Sequence, residues 1–190
     1  CIFKGWFDVD RFELTREESA LMVIDIQERL VPVMERREQV IHNAQILIFA
    51  AQRLGIPIIV TEQYPRGLGK TVKELSDVLG NFGAIEKLTF SAYTQEVASE
   101  LAGLGRKKVI ICGMETHVCV FQTVRELLRA GYQVFVVKDA VCSRAHDNHQ
   151  NGLDLMDRMG AVITNTETVI FDLLKVAGTP EFKELSRLIK

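Results

Sequence analysis

The sequence predicts an α/β fold, a three-layer sandwich in which a six-stranded parallel sheet is flanked by helices. Two observations carry this. Short, strongly apolar runs recur along the chain, and stretches with apolar residues at helical spacing separate them. The breaks between the two kinds of segment are short, and glycines stand where helices should end. Six strands alternating with helices need cover on both faces of the sheet.

The elements follow in order. Ala20–Ile24 is the first strand and ends at Asp25. A helix over Arg36–Leu54 stops at Gly55, and Ile56–Val60 is the second strand, with Pro57 tolerable near its start. Thr61–Lys70 carries Pro65, Gly67 and Gly69 and reads as a loop. Thr71–Leu79 is a short helix, Ala84–Leu88 a weak strand, and Thr94–Leu104 a helix ending at Gly105. Lys108–Cys112 and Val134–Val137 are strands on either side of a helix that ends at Gly131. Asp147 and Gln150 have capping-box spacing and open a helix to Met159. Ala161–Ile163 is the last strand; Thr166–Val176 and Glu181–Ile189 are helices.

The 190 residues are read as one domain, 1–190, with a core over about 20–174 and a helical extension over 175–190. No internal repeat or linker divides them. A hydrophobic content of 47% with 25% charged residues is that of an ordinary soluble globular protein. The net charge of −2 supplies no basic field for nucleic acid or an anionic membrane. No apolar run reaches the ~18–20 residues of a membrane span, and no signal peptide pattern is visible. The four cysteines match neither paired zinc motifs nor a disulfide scaffold, so reduced thiols and a cytoplasmic setting are expected. Cys1 stands where a Met would, as at a trimmed terminus, and the aromatic segment after it does not resemble the polar tether of a lipidated cysteine. No phosphate or dinucleotide glycine fingerprint appears, and no cofactor is expected.

Three residues draw the chemistry together. Asp25 ends the first strand, Lys87 closes the weak one, and Cys119 stands in the first helical turn after Val109–Gly113. In a parallel sheet all three share the C-terminal edge, where ligands of open α/β sheets bind. A carboxylate, an ammonium and a thiol there suit nucleophilic catalysis. Asp25 would take the thiol proton, Lys87 would hold Asp25 and favour the thiolate, and main-chain N–H groups of Glu115 and Cys119 would bind an oxyanion. Each residue also has a plainer reading: Cys119 as a small buried hydrophobe, Asp25 as a cap, Lys87 on a solvated face. The helix N-terminus and Lys87 predict a Cys119 pKa below about 8.5, while Asp25 opposes this; if Asp25 wins, thiol and carboxylate share one proton. His117 should point away from Cys119, His146 and His149 read as surface or capping residues, and Cys112 as an inert buried thiol.

The motifs carry a resemblance. Val23-Ile24-Asp25-Ile26-Gln27, Glu86-Lys87 with Phe90-Ser91-Ala92, and Gly113-Met114-Glu115-Thr116-His117-Val118-Cys119-Val120 resemble, in order, the three motifs of the isochorismatase-like cysteine hydrolases. Asp139–Arg144 and Thr164–Glu167 fit as well, so the similarity spans about Ala20 to Leu174. It implies a Rossmann-like fold, the catalytic triad Asp25, Lys87 and Cys119, and a non-proline cis peptide between Met114 and Glu115. It also implies a homo-oligomer, a dimer or larger. Two departures narrow the activity. The Asp-x-His metal motif of nicotinamidases is replaced by Thr61-Glu62-Gln63-Tyr64-Pro65, so no metal is expected. Cys119 is present, whereas enzymes of the superfamily that cleave isochorismate lack that cysteine. The segment Thr61–Gly69 is most similar to the isochorismatase-domain-containing group.

The expected function is hydrolysis of a small amide, imide or N-carbamoyl compound through an acyl-enzyme on Cys119. The alternatives are a non-catalytic binding or scaffold protein and a redox-active thiol protein. Gln27, Gln63, Tyr64 and Phe90 are expected to line the substrate pocket.

Overall fold

The computed structural model describes residues 8–189; Cys1 and the segment after it lie outside the described residues. Strands β1 (Ser19–Ile24), β2 (Ile58–Gln63), β3 (Ala84–Lys87), β4 (Lys108–Met114), β5 (Gln133–Cys142) and β6 (Val162–Thr164) form one sheet in the order β3-β2-β1-β4-β5-β6. Every neighbouring pair is parallel. The helices are α1 (Arg37–Leu54), α2 (Pro65–Leu68), α3 (Lys73–Leu79), α4 (Gln95–Leu104), α5 (Phe121–Arg129), α6 (His146–Arg158), α7 (Thr166–Leu174) and α8 (Pro180–Leu188).

Strand alternation splits the core in two. Leu21 and Val23 of β1 pack with Ala44 and Leu47 of α1, Leu75 of α3, Ile170 of α7 and Leu185 of α8. Ala20, Met22 and Ile24 face the other way, onto Leu101 of α4, Val124 and Leu127 of α5 and Met156 of α6. Residues i and i+2 of a strand share a face, which is why one apolar run feeds both layers. All six residues of β1 are buried. Each large aliphatic side chain so buried contributes about 1.5–3 kcal/mol.

The strand order places the site. From β1 the chain steps outward through β2 and β3, then returns to the other side of β1 as β4. Strands β1 and β4 therefore flank the switch point, the place at the C-terminal edge where open α/β sheets bind ligands. Asp25 follows β1 and Lys87 ends β3. Gly113 lets β4 run on past Cys112: its φ is 143°, and a Cβ there would lie 2.2 Å from the Ile24 carbonyl oxygen.

Three expectations change in detail. The Asp147–Gln150 capping box is not formed: Ala145 occupies the N-cap of α6, and the Gln150 amide donates to Asp154 at 2.8 Å. The loop after β2 contains α2, with Pro65 in its first turn, where the missing N–H costs no bond. Strand β5 runs on to Cys142, because its far end stays paired with Gly113 and Met114. Helices α4, α7 and α8 are capped by Thr94, Asn165 and Thr179, each worth about 1 kcal/mol. Among the described residues no helix is long and apolar enough to cross a membrane.

Candidate active site

Asp25 leaves β1 with a left-handed φ of 53°. Its N–H donates to the Thr61 carbonyl at 3.2 Å, which fixes it against β2. The carboxylate has no solvent exposure. Oδ1 accepts the Thr61 hydroxyl at 2.7 Å, and Oδ2 accepts the Lys87 ammonium at 2.6 Å. Both side chains of this ion pair are fully buried. Lys87 Nζ also approaches Gln63 Oε1 at 2.7 Å and the Phe90 and Thr89 carbonyls at 3.0 and 3.1 Å. A buried ion pair is tolerable only when the remaining hydrogen-bonding capacity is used in this way.

Cys119 reaches the same point from β4. The chain turns over Thr116–Val120 in a wide π-type turn before α5 begins. The Glu115 carbonyl accepts from Val118 and Val120 N–H at 3.1 and 3.2 Å, and the second of these is the i→i+5 bond that defines the turn. The Met114–Glu115 peptide is cis. The Thr123 hydroxyl donates to the Cys119 carbonyl at 2.6 Å and accepts the Ala92 N–H at 2.8 Å, which ties the turn to the loop after Lys87. From the other side α6 closes on the turn. Gly152 presses on it so tightly that a Cβ would lie 3.0 Å from the Thr116 carbonyl oxygen, and His149 Nδ1 meets the Thr116 hydroxyl at 2.9 Å. Arg144 donates to the Glu115 carboxylate from N at 3.0 Å and from Nε at 3.2 Å.

Burial sets the electrostatics. Burial pushes the Cys119 thiol up to about 12, and the Asp25 charge and hydrogen bond add to it while Lys87 pulls back. This corrects the expectation of a depressed thiol: Asp25 and desolvation outweigh the helix terminus and Lys87. Burial also lifts Asp25 above the ordinary carboxylate range, against Lys87, Thr61 and Cys119, which all favour its charge. Burial and Asp25 thus favour the neutral thiol, while Lys87, Thr61 and Cys119 favour the charged form of Asp25, and the groups titrate together.

The expected pocket residues separate. Gln27 does not line a pocket: it is wholly buried, Nε2 donates to the Gln63 and Gly69 carbonyls, and Oε1 accepts the Gln63 N–H. Gln63 has its amide committed as well, Oε1 to Lys87 and Nε2 to the Leu88 carbonyl at 2.9 Å. Their amides bind protein groups because β2 and β3 close around them. Tyr64 does border a cleft of about 400 Å³, with Pro65, Arg66, Glu86, Lys87 and Leu88. Phe90 is 55% exposed and borders the site through its carbonyl. His117 bonds Ser143 at 2.9 Å, away from Cys119, and His146 is exposed, but His149 is buried against the nucleophile turn rather than on the surface. Thr61 and Thr123 join the site through hydroxyl bonds that no sequence pattern marks. Asp139 accepts the Thr166 N–H and hydroxyl at 2.8 and 2.9 Å, which joins the two late motifs, Asp139–Arg144 and Thr164–Glu167. Among the described residues no three His, Cys, Asp or Glu side chains are grouped to hold a metal ion.

Residues 19–168 match the Isochorismatase domain family. The chain belongs to the isochorismatase family. It is 41% identical over 182 residues to the secreted isochorismatase effector Isc1 of Phytophthora sojae, an alignment covering 93% of this chain and 87% of that one. It is 40% identical to isochorismatase domain-containing protein 1 of Salmo salar, covering 87% of this chain but only 59% of the longer relative. Among solved structures it resembles the MAR1 ribonuclease of Caenorhabditis elegans, with a TM-score of 0.88 and 39% identity, covering 93% of this chain and 92% of that one. The isochorismatase family makes this an isochorismatase-like hydrolase fold.

Proposed function

We propose that this isochorismatase-family chain hydrolyses a carbon–nitrogen bond in a small amide, imide or N-carbamoyl compound, with Asp25, Lys87 and Cys119 as its catalytic residues. The observation that carries the reading is the fully buried Asp25–Lys87 ion pair at 2.6 Å, with the Cys119 thiol near enough for Asp25 and Lys87 both to act on its acidity. Cys119 Sγ attacks the substrate carbonyl carbon as its proton passes to Asp25. The carbonyl oxygen takes the developing charge and is held by the Glu115 and Cys119 N–H groups. The C–N bond breaks as Asp25 returns the proton to the leaving nitrogen. Water then attacks the thioester, gives its proton to Asp25, and the acid leaves as the thiol re-forms. Lys87 keeps its charge throughout, so Asp25 never alternates between an isolated anion and a neutral acid.

Cys119 is only 6% exposed. That favours a metabolite-sized substrate with a narrow reactive group over a macromolecule, and the ordinary net charge of −2 accords with this. The chain is also proposed to act as a homo-oligomer, to which the exposed Leu88 and Phe90 near the site would contribute. The test is a panel of small amides, imides and carbamoyl compounds, with a single-stranded RNA beside them because of the name of the Caenorhabditis elegans relative. Intact-mass analysis should show an acyl adduct on Cys119, and Cys119→Ala should abolish both adduct and turnover. Cleavage of RNA alone, lost in Cys119→Ala, would replace the small-amide reading. Absence of any adduct or turnover would favour a scaffold or a redox thiol.

A further inference from the structure

The two glutamines excluded from the pocket form a chain of contacts of their own. Gln27 is fully buried between β1 and the segment after β2. Its amide makes three bonds at 2.7–2.9 Å: to the Gln63 N–H and carbonyl and to the Gly69 carbonyl. That satisfies both hydrogens and the oxygen of the amide, and it fixes the Gln63 backbone. The Gln63 side chain is then oriented by one bond, because Nε2 donates to the Leu88 carbonyl. Only the amide oxygen remains to face Lys87, at 2.7 Å. Strand register enforces the meeting, since Gln63 is paired with Lys87 where β2 runs beside β3.

Lys87 Nζ thus has four acceptors for three hydrogens, and only one of them, Asp25, is charged. When Asp25 accepts the thiol proton, that charge is gone. The ammonium, whose side chain is fully buried, must then be held by neutral oxygens. The Gln63 oxygen is closer than either main-chain carbonyl.

We propose that Gln63, locked by Gln27 and by the Leu88 carbonyl, is a positioning residue that keeps Lys87 charged and aimed at Asp25 while Asp25 is protonated. It acts through Lys87 and does not touch substrate. The role rests on the proposed hydrolase reading, and its test does not need turnover. The groups facing the Asp25 carboxylate are Lys87 from β3, Thr61 from β2 and Cys119 from the π-type turn, with Glu115 acting on the thiol beyond it. Of these only Lys87 is also held by Gln63, so weakening that hold should be felt at Asp25.

The experiment is carbon-13 NMR titration of the Asp25 carboxyl, assigned with Asp25→Asn, in the full chain and in Gln63→Met and Gln63→Glu. Gln63→Met keeps the length and removes the acceptor oxygen. Gln63→Glu keeps the oxygen, adds a competing charge and loses the Leu88 bond. Gln63→Met should lower the Asp25 midpoint by about one pH unit, because protonated Asp25 then leaves Lys87 short of its nearest neutral acceptor, whereas the added charge of Gln63→Glu should raise it. Tyr64→Ala, in the neighbouring cleft, should leave it in place. Melting temperatures taken alongside identify a variant that merely fails to fold, and the other variant then decides. An Asp25 midpoint unmoved in a folded Gln63 variant overturns the proposal. If the midpoint moves but wild-type Cys119 forms no acyl adduct, the positioning role stands and the hydrolase reading falls.

Discussion

Two thiols on adjoining elements, Cys112 inside β4 and Cys119 on the turn beyond it, have the same acidity and opposite surroundings. Both are pushed up to about 12. For Cys112 the cause is burial alone: its thiol makes a long bond to the Met22 carbonyl at 3.9 Å, and among the described residues no carboxylate acts on its acidity. For Cys119 the cause is burial and the Asp25 charge, opposed by Lys87. A raised pKa therefore does not separate an inert thiol from a nucleophile. What separates them is a carboxylate acting on the thiol, and a counter-ion that favours the charged form of that carboxylate in a buried site.

The strongest way to break the comparison is to remove the base. Asp25→Asn should lower turnover of any substrate found by about 10²–10⁴-fold. It should also lower unfolding free energy by about 3–5 kcal/mol, because Lys87 is left buried without its carboxylate. Cys112→Ala should leave turnover within about twofold, since the Cys112 thiol bonds the Met22 carbonyl and no charged group among the described residues acts on its acidity. Chemical denaturation and steady-state rates check both halves.

A smaller effect is expected from the frame of the turn. Thr123→Val removes the bond to the Cys119 carbonyl and leaves the Ala92 N–H without its acceptor. A buried donor left unpaired costs about 1–3 kcal/mol, and turnover should fall with it, as Cys119 loses its fixed position. A stable, fully active Thr123→Val would show that packing by Gly152 and His149 suffices.

The shared acidity makes its own prediction. In the unfolded chain a thiol releases its proton near pH 8.5, while in the folded chain Cys112, Cys119 and Cys142 hold theirs to about 12. The folded state then binds more protons than the unfolded state between these values. Stability from these thiols is complete below about pH 8.5 and is lost as pH rises toward 12. Each contributes a slope of about 1.4 kcal/mol per pH unit, and Cys112→Ala should reduce the slope of alkaline unfolding by one such increment. The smallest effect is expected at the cleft. Tyr64→Ala should weaken substrate capture a few-fold and leave alkylation of Cys119 by a small reagent unchanged.

The strand cores were legible because β-branched apolar runs such as Val109–Ile111 have few alternatives to a buried strand. The convergence of Asp25, Lys87 and Cys119 was legible because each stands at the C-terminal end of a strand or just beyond it, and parallel strands bring such ends to one edge. The glutamines were not. Whether an amide binds substrate or main chain depends on how closely β2 approaches the neighbouring segments, and no local pattern at Gln27 or Gln63 records that distance. His149 misled for a similar reason: its sequence neighbours are polar, but Gly152 one turn later lets α6 press that face onto the turn. The raised thiol pKa is not legible in the sequence, because a helix terminus is visible there and the depth of burial that outweighs it is not.

The central claim is that thiol, carboxylate and ammonium act as one coupled unit at Cys119. The most direct measurement is the rate of iodoacetamide alkylation at pH 8, resolved by peptide mass spectrometry, in wild type, Asp25→Asn and Lys87→Met. Asp25 raises the thiol pKa and Lys87 lowers it. Cys119 should therefore alkylate faster in Asp25→Asn and slower in Lys87→Met than in wild type, while Cys112 stays slow in all three. Equal Cys119 rates in the three proteins would contradict the claim.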